Sequence, residues 1–264
     1  MNDRATKLSE GKQSTSPKSL HASRLTSQTA LVIFAKAPIP GQVKTRLCPP
    51  LTPDEAATLH GSFVLDTLER SKIAVAKLKS PIDRYLACAP STTHVFFKIM
   101  EERHGVNVID QIGDDLGERM NQAFEVIFSH EYHRALIIGT DVPTLPLDHF
   151  QHALVLLENH DLVLGPAVDG GYYLIGLKRM APELFTGIPW STDHVLKLTQ
   201  EKAASLELKT ALVPSWRDVD TIADLEALIE ANVTDAKKPK NDRAFSSRTA
   251  GVLEMLAKRL RSRA

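Results

Sequence analysis

Ala30-Leu31-Val32-Ile33-Phe34, followed by Ala35-Lys36-Ala37-Pro38-Ile39-Pro40-Gly41-Gln42-Val43-Lys44-Thr45-Arg46-Leu47, sets the reading of the whole chain. The first five residues form an unbroken apolar run, the pattern of a strand buried on both faces. A loop carrying Pro38, Pro40 and Gly41 breaks it. Thr52, Pro53 and Glu55 then supply an N-cap, a first-turn proline and a capping-box acid, so a helix starts there. The alternation continues outward. Strands are predicted at Ile82–Ala87, Val106–Ile109, Ala135–Ile138, Leu162–Leu164, Tyr172–Leu177 and Lys209–Val213. Helical spacing is predicted at Val95–Arg103, Gly117–Ser129, Asp193–Leu206 and Ile222–Ala231, and a further helix carries Phe150, Leu154 and Leu157. Such alternation specifies a single α/β domain with a mostly parallel sheet covered by helices on both faces.

Composition limits the function classes. The 264 residues carry 32 basic and 32 acidic side chains, unevenly spread. Residues 1–28 hold five Lys/Arg against two Asp/Glu, and residues 234–264 hold nine against three. The body, 29–233, is left with a net charge of −9, the wrong sign for a nucleic-acid surface. Both ends read as basic tails outside the core, the first disordered and the second with one short amphipathic helix at Val252–Leu260, detached or docked, and both are expected to be dispensable for folding. No apolar run approaches the ~18–20 residues that span a bilayer, and with no short apolar core behind a basic N-terminus a secretory signal is not expected. Cys48 and Cys88 show neither CxxC nor zinc spacing, so a reducing, cytoplasmic setting is expected. Oligomeric state is not legible.

In open α/β sheets ligands bind beyond the carboxyl ends of the strands, so the loops after each strand are the candidates. Lys36, Lys44 and Arg46 put three cations in eleven residues after the first strand, suited to phosphate. The loop is neither a P-loop nor a dinucleotide fingerprint. Gly139-Thr140-Asp141-Val142-Pro143 offers a carboxylate that could bind Mg²⁺ or cap a turn. Asp169-Gly170-Gly171-Tyr172 allows close approach of backbone to a ligand, with Asp169 as a base or hydroxyl acceptor, and equally fits a hairpin turn. Asp218 and Asp220 would face one side of an extended segment, or Asp220 and Thr221 would cap the next helix. Gly113–Arg119, with Gly117 and Arg119, joins a strand to a helix N-terminus, a place for an anion or a base. His130/His133 and His149/His152 lack a third metal ligand. There is no Gly-x-Ser-x-Gly or His-Glu-x-x-His.

Taken in order, FAKAPIPGQVKTRL (34–47), GDDLGERM (113–120), GTDVP (139–143), VDGGYY (168–173), PWST (189–192) and DVDTIADL (218–225) resemble one family. It is the bacterial radical-SAM/selenodomain-associated transferases, or arsenosugar-biosynthesis glycosyltransferases. The resemblance covers about residues 30–233 and implies a GT-A, nucleotide-diphospho-sugar transferase fold, with kinship to guanylyltransferases. It implies Lys36, Lys44 and Arg46, with Gly117 and Arg119, on the nucleotide. Asp141 would be the metal ligand for Mg²⁺ or Mn²⁺, with Asp220 as a second. Asp169, the candidate catalytic residue, would line the acceptor side with Gly170, Gly171 and Tyr172. Pro143 departs from the Asp-x-Asp usual at such metals. The implied reaction is glycosyl transfer from a nucleotide-sugar to a small hydroxyl-bearing acceptor. The alternatives are nucleotidyl transfer from a nucleoside triphosphate to a phosphorylated acceptor, and a non-catalytic nucleotide-binding module.

Overall fold

A computed structural model describes residues 28–78 and 81–262. Among these residues are seven strands, β1 (Thr29–Lys36), β2 (Ile82–Ala89), β3 (Asn107–Asp110), β4 (Arg134–Gly139), β5 (Leu162–Pro166), β6 (Tyr172–Leu177) and β7 (Thr210–Leu212). They form one sheet in the order β3-β2-β1-β4-β6-β5-β7. All neighbours pair in parallel except β6, which runs antiparallel to both β4 and β5. The expected mostly parallel α/β sheet is therefore present. Asp169–Gly171 makes the tight β5–β6 turn, closed by Ala167 N donating to Gly171 O at 3.0 Å, as a hairpin reading of that segment expects.

Side chains of β1 alternate across the sheet, because successive Cβ atoms of a strand point to opposite faces. Leu31, Ile33 and Ala35 pack with Val64 and Leu68 of α1 (Pro53–Ala76), Phe97 of α2 (Val95–His104) and Phe150 and Leu157 of α4 (Leu147–Asn159). Ala30 and Val32 pack with Met120, Phe124 and Ile127 of α3 (Leu116–Ser129) and Ala203 of α5 (Val195–Ser205). The helix start read at Thr52 is realised in full: its side chain accepts from Glu55 N, and Glu55 reaches back to Thr52 N at 2.8 Å.

One boundary of the sequence reading differs and the other lies outside what is described. The tail expected over residues 1–28 lies outside the described residues except for Gln28, whose carbonyl accepts His133 N and Arg134 N. The end expected at 233 falls inside α6 (Ile222–Asp235), and the expected C-terminal tail is folded onto the body. Its helix, α7 (Ser247–Arg261), buries Leu253 and Leu256 completely against Leu47, Leu59, Phe63, Val219 and Leu225. Thr249 Oγ1 donates to Asp66 Oδ2 at 2.6 Å, and Arg248 pairs with Asp66 at 3.0 Å and Glu69 at 2.9 Å. Of the two placements the sequence left open for this helix, detached or docked, it takes the docked one, because burial is decided by its one apolar face and not by the charge counted along the chain.

Candidate active site

The carboxyl ends of β1 and β4 open into a crevice of about 710 Å³, bounded by the 42–46 loop, the β5–β6 turn and the segment before α6. Acids remote in sequence meet there because Val219 N donates to Asp141 O at 3.0 Å, stitching the 218–220 segment to the end of β4. The carboxylates of Asp169, Asp218 and Asp220 offer oxygens all within 4.8 Å of one another. Burial first, then the charges of Asp169, Asp220 and Asp141, push the Asp218 carboxyl up to about 7. Crowded anions with hard oxygen donors are what Mg²⁺ or Mn²⁺ prefers, so this set fits the expected metal. Thr221 caps α6 in a reciprocal box with Asp224, which leaves Asp220 free of the capping role.

Asp141, expected to be the principal ligand, lines the crevice and pairs there with a lysine. Its Oδ1 lies 2.6 Å from the ammonium of Lys44, which also donates to Asp220 Oδ1 at 2.8 Å and to Val219 O at 2.6 Å. The Lys44 side chain is only 4% exposed. Burial alone would lower its pKa, but Asp141 and Asp220 outweigh it and hold the ammonium above its ordinary value. Burial likewise opposes ionisation of Asp141, yet Lys44, then His60, hold that carboxyl below the usual range. The pair is therefore ionised. Lys44 is an internal cation rather than the exposed phosphate contact expected of it, because its left-handed backbone (φ 49°) belongs to a loop that folds back over the acids.

Lys36 and Arg46 are exposed on the crevice wall, as expected. Gly117 and Arg119 are not brought to it. Arg119 Nε donates to Gly113 O at 2.9 Å, and Gly117 is covered by the Trp190 ring, which occupies the place a Cβ would need. Their places at the crevice are taken by Gln111 and Leu116. Gln111 Nε2 donates to Ala35 O and Ala87 O, tying the ends of β1 and β2 together. Asp169, Gly171 and Tyr172 line the far wall with Trp190, Thr192 and Asp193, and Asp169 Oδ1 accepts Gly171 N at 2.9 Å. Gly170 itself packs beneath. Its φ of +92°, and the Asp193 carbonyl standing where any Cβ would have to go, make glycine necessary there.

Sequence reasoning passed over His60, Gln111 and Trp190. His60 lies in α1, is 5% exposed, contacts Lys36 O through Nε2 at 3.0 Å, and places Nδ1 3.9 Å from Asp141 Oδ1. Burial, only partly offset by Asp141, lowers its pKa, so it is neutral. A histidine on an apolar helix face gives no such signal in sequence. Trp190 falls within the PWST block, so the resemblance marked the segment without giving the ring a role. His149, by contrast, is satisfied by the Tyr173 hydroxyl at 2.7 Å, as the sequence suggested for a histidine without metal partners.

Known proteins resemble the chain at two levels. A family model described as "Uncharacterized protein conserved in bacteria (DUF2064)" matches residues 72–192. The crystal structure of a "putative nucleotide-diphospho-sugar transferase" from Desulfovibrio desulfuricans G20 is 34% identical, covering 89% of this chain and 98% of that one, with a TM-score of 0.76. A cytidylyltransferase from Leptospira borgpetersenii shares the fold at 16% identity and a TM-score of 0.50, covering 89% of this chain and 96% of that one. No curated protein matches the chain. Among the described residues no helix is long and apolar enough to cross a membrane.

Proposed function

This chain belongs to the same family as the Desulfovibrio protein, and from that premise we propose that it is a metal-assisted glycosyltransferase using a nucleotide-diphospho-sugar and a small hydroxyl-bearing acceptor. The observation that carries the reading is the polarity of the crevice. Its exposed cations, Lys36 and Arg46, stand on the wall after β1. The opposite wall carries Asp169, Asp193, Asp218 and Asp220, and the remaining lysine of the described lining, Lys44, is buried against Asp220. A diphosphate matches the first wall. A phosphorylated acceptor would be repelled by the exposed carboxylates of Asp169 and Asp193, and an alcohol or sugar would find hydrogen-bond acceptors there.

Lys36 offers a point charge and Arg46 a planar fork to the diphosphate. A divalent cation held by Asp218 and Asp220, with Asp169 at its edge, would supply further neutralisation of the charge developing on the leaving diphosphate. Asp169 is the exposed member of the three, and its Oδ1 is fixed by Gly171 N. Its Oδ2 accepts the proton of the attacking hydroxyl. Oxygen then bonds to the sugar carbon as the carbon–diphosphate bond breaks. Trp190, held against Gly117, and Tyr172 shape the acceptor wall. The free thiols Cys48 and Cys88 support a cytoplasmic setting.

The test is a thermal-shift panel of nucleotides and nucleotide-sugars with and without Mg²⁺ or Mn²⁺, followed by mass spectrometry of the hydrolysed donor. A ligand at a hundredfold excess over its Kd stabilises by roughly 2.7 kcal/mol. Nucleoside diphosphate released from a nucleotide-sugar is the expected product. Pyrophosphate released from a triphosphate, with no nucleotide-sugar turned over, would replace this reading by nucleotidyl transfer.

A further inference from the structure

We propose that Lys44 is a resident cation: its ammonium fills, between Asp141 and Asp220, a position whose surrounding donors would otherwise bind a divalent metal ion, and it thereby restricts the crevice to the single metal position at Asp169, Asp218 and Asp220. An ammonium has three N–H donors and no acceptor. Two are hydrogen-bonded here, to Asp220 Oδ1 and Val219 O at 2.8 and 2.6 Å, and the ammonium is ion-paired with Asp141 Oδ1 at 2.6 Å. The side chain is 4% exposed, which keeps the ammonium away from a phosphate in the crevice. The three partners are all oxygens, the donor type that hard divalent cations take, with water completing their shell.

A fourth donor adjoins these oxygens. His60 is buried, its Nε2 contacts the Lys36 carbonyl, and its Nδ1 has no hydrogen-bond partner while lying 3.9 Å from the same Asp141 oxygen. Because a carbonyl can only accept, Nε2 carries the proton, and Nδ1 presents a lone pair. A neutral imidazole whose far nitrogen is anchored on a backbone carbonyl is oriented as metal-ligating histidines are. Two carboxylates, a carbonyl and an imidazole nitrogen thus surround or adjoin one monovalent side chain. The left-handed backbone of Lys44, uncommon for a residue with a side chain, is what turns the loop so that the ammonium enters this position.

The role of the neighbouring acidic cluster rests on the metal-assisted reading above, and the experiment separates the two. Mn²⁺ binding is measured by titration calorimetry and by the electron paramagnetic resonance of free Mn²⁺, on the wild type, Lys44→Met and Lys44→Met/Asp141→Asn. Lys44→Met is expected to bind one more Mn²⁺ per chain than the wild type, and the double variant to lose that ion again. If the wild type binds none and Lys44→Met binds one, the metal-assisted reading fails while the resident-cation proposal stands. Equal stoichiometry in folded wild type and Lys44→Met overturns the proposal. Should Lys44→Met be unfolded without metal, its refolding in millimolar Mn²⁺ but not in NaCl of equal ionic strength supports the proposal, and failure to refold in either overturns it.

Discussion

Removing α7 should strongly destabilise the protein, although its sequence has the composition of a solvated tail. The perturbation is a chain ending after Ala236. Leu253 and Leu256 are each 0% exposed, and burying such side chains contributes about 1.5–3 kcal/mol apiece, or roughly 3–6 kcal/mol together. Truncation also exposes their partners Leu59, Phe63 and Leu225 and strips Asp66 of Thr249 and Arg248. Asp66, 3% exposed behind α7, loses those partners to water, a further loss of order 1 kcal/mol. For a domain of this size about 1 kcal/mol moves Tm by roughly 2–4 °C, so a fall of at least about 8–15 °C is expected. Circular dichroism melts of the full chain, the truncated chain and Leu253→Ala measure it. The point variant should lose about 2–5 kcal/mol through the cavity it leaves. An unchanged midpoint in both would mean that α7 does not pack as described, and the tail reading would be restored.

Replacing Lys36 and Arg46 together by alanine should weaken nucleotide binding by at least about tenfold in calorimetry while leaving Tm nearly unchanged, because exposed cations contribute little to folding; unaltered affinity would remove the diphosphate from that wall. Asp218 carries a folded-state pKa raised to about 7, so the folded protein binds protons that the unfolded chain has already released. In metal-free buffer this group therefore favours folding below about pH 4, and its contribution is lost as pH rises from there through about 7. Asp218→Asn should flatten that part of a Tm-against-pH curve, and a curve identical to that of the wild type would contradict the crowding of the three acids. Gly117→Ala places a methyl into the Trp190 ring, an overpacking worth about 1–3 kcal/mol. It should shift indole fluorescence and weaken acceptor binding more than nucleotide binding, and loss of nucleotide affinity alone would place Trp190 on the wrong wall. Burial pushes the Cys88 thiol up to about 12, so it should resist alkylation at about pH 8 until the protein is denatured.

The amino-acid sequence by itself determined the architecture. Ala30–Phe34, the Thr52–Glu55 cap and the strand–helix alternation are local signals, and each acts over a few residues through side-chain sterics and backbone hydrogen bonding. They therefore survive translation into structure almost unchanged. The location of the site followed from the same source, since loops after parallel strands converge wherever the strands do. Long-range pairings decided the rest. Lys44 reads as a phosphate contact until Val219 N meets Asp141 O and brings Asp220, 176 residues away in the chain, against its ammonium. His60 acquires a role only because α1 carries it to within reach of Asp141 at the end of β4. Arg119 is lost from the crevice because its own loop carbonyl captures it, and α7 joins the core because Asp66 and Phe63 face it from α1. Hydrophobic period and capping are encoded along the chain. Which charge neutralises which is decided by distance, and distances between remote residues exist only in the folded molecule.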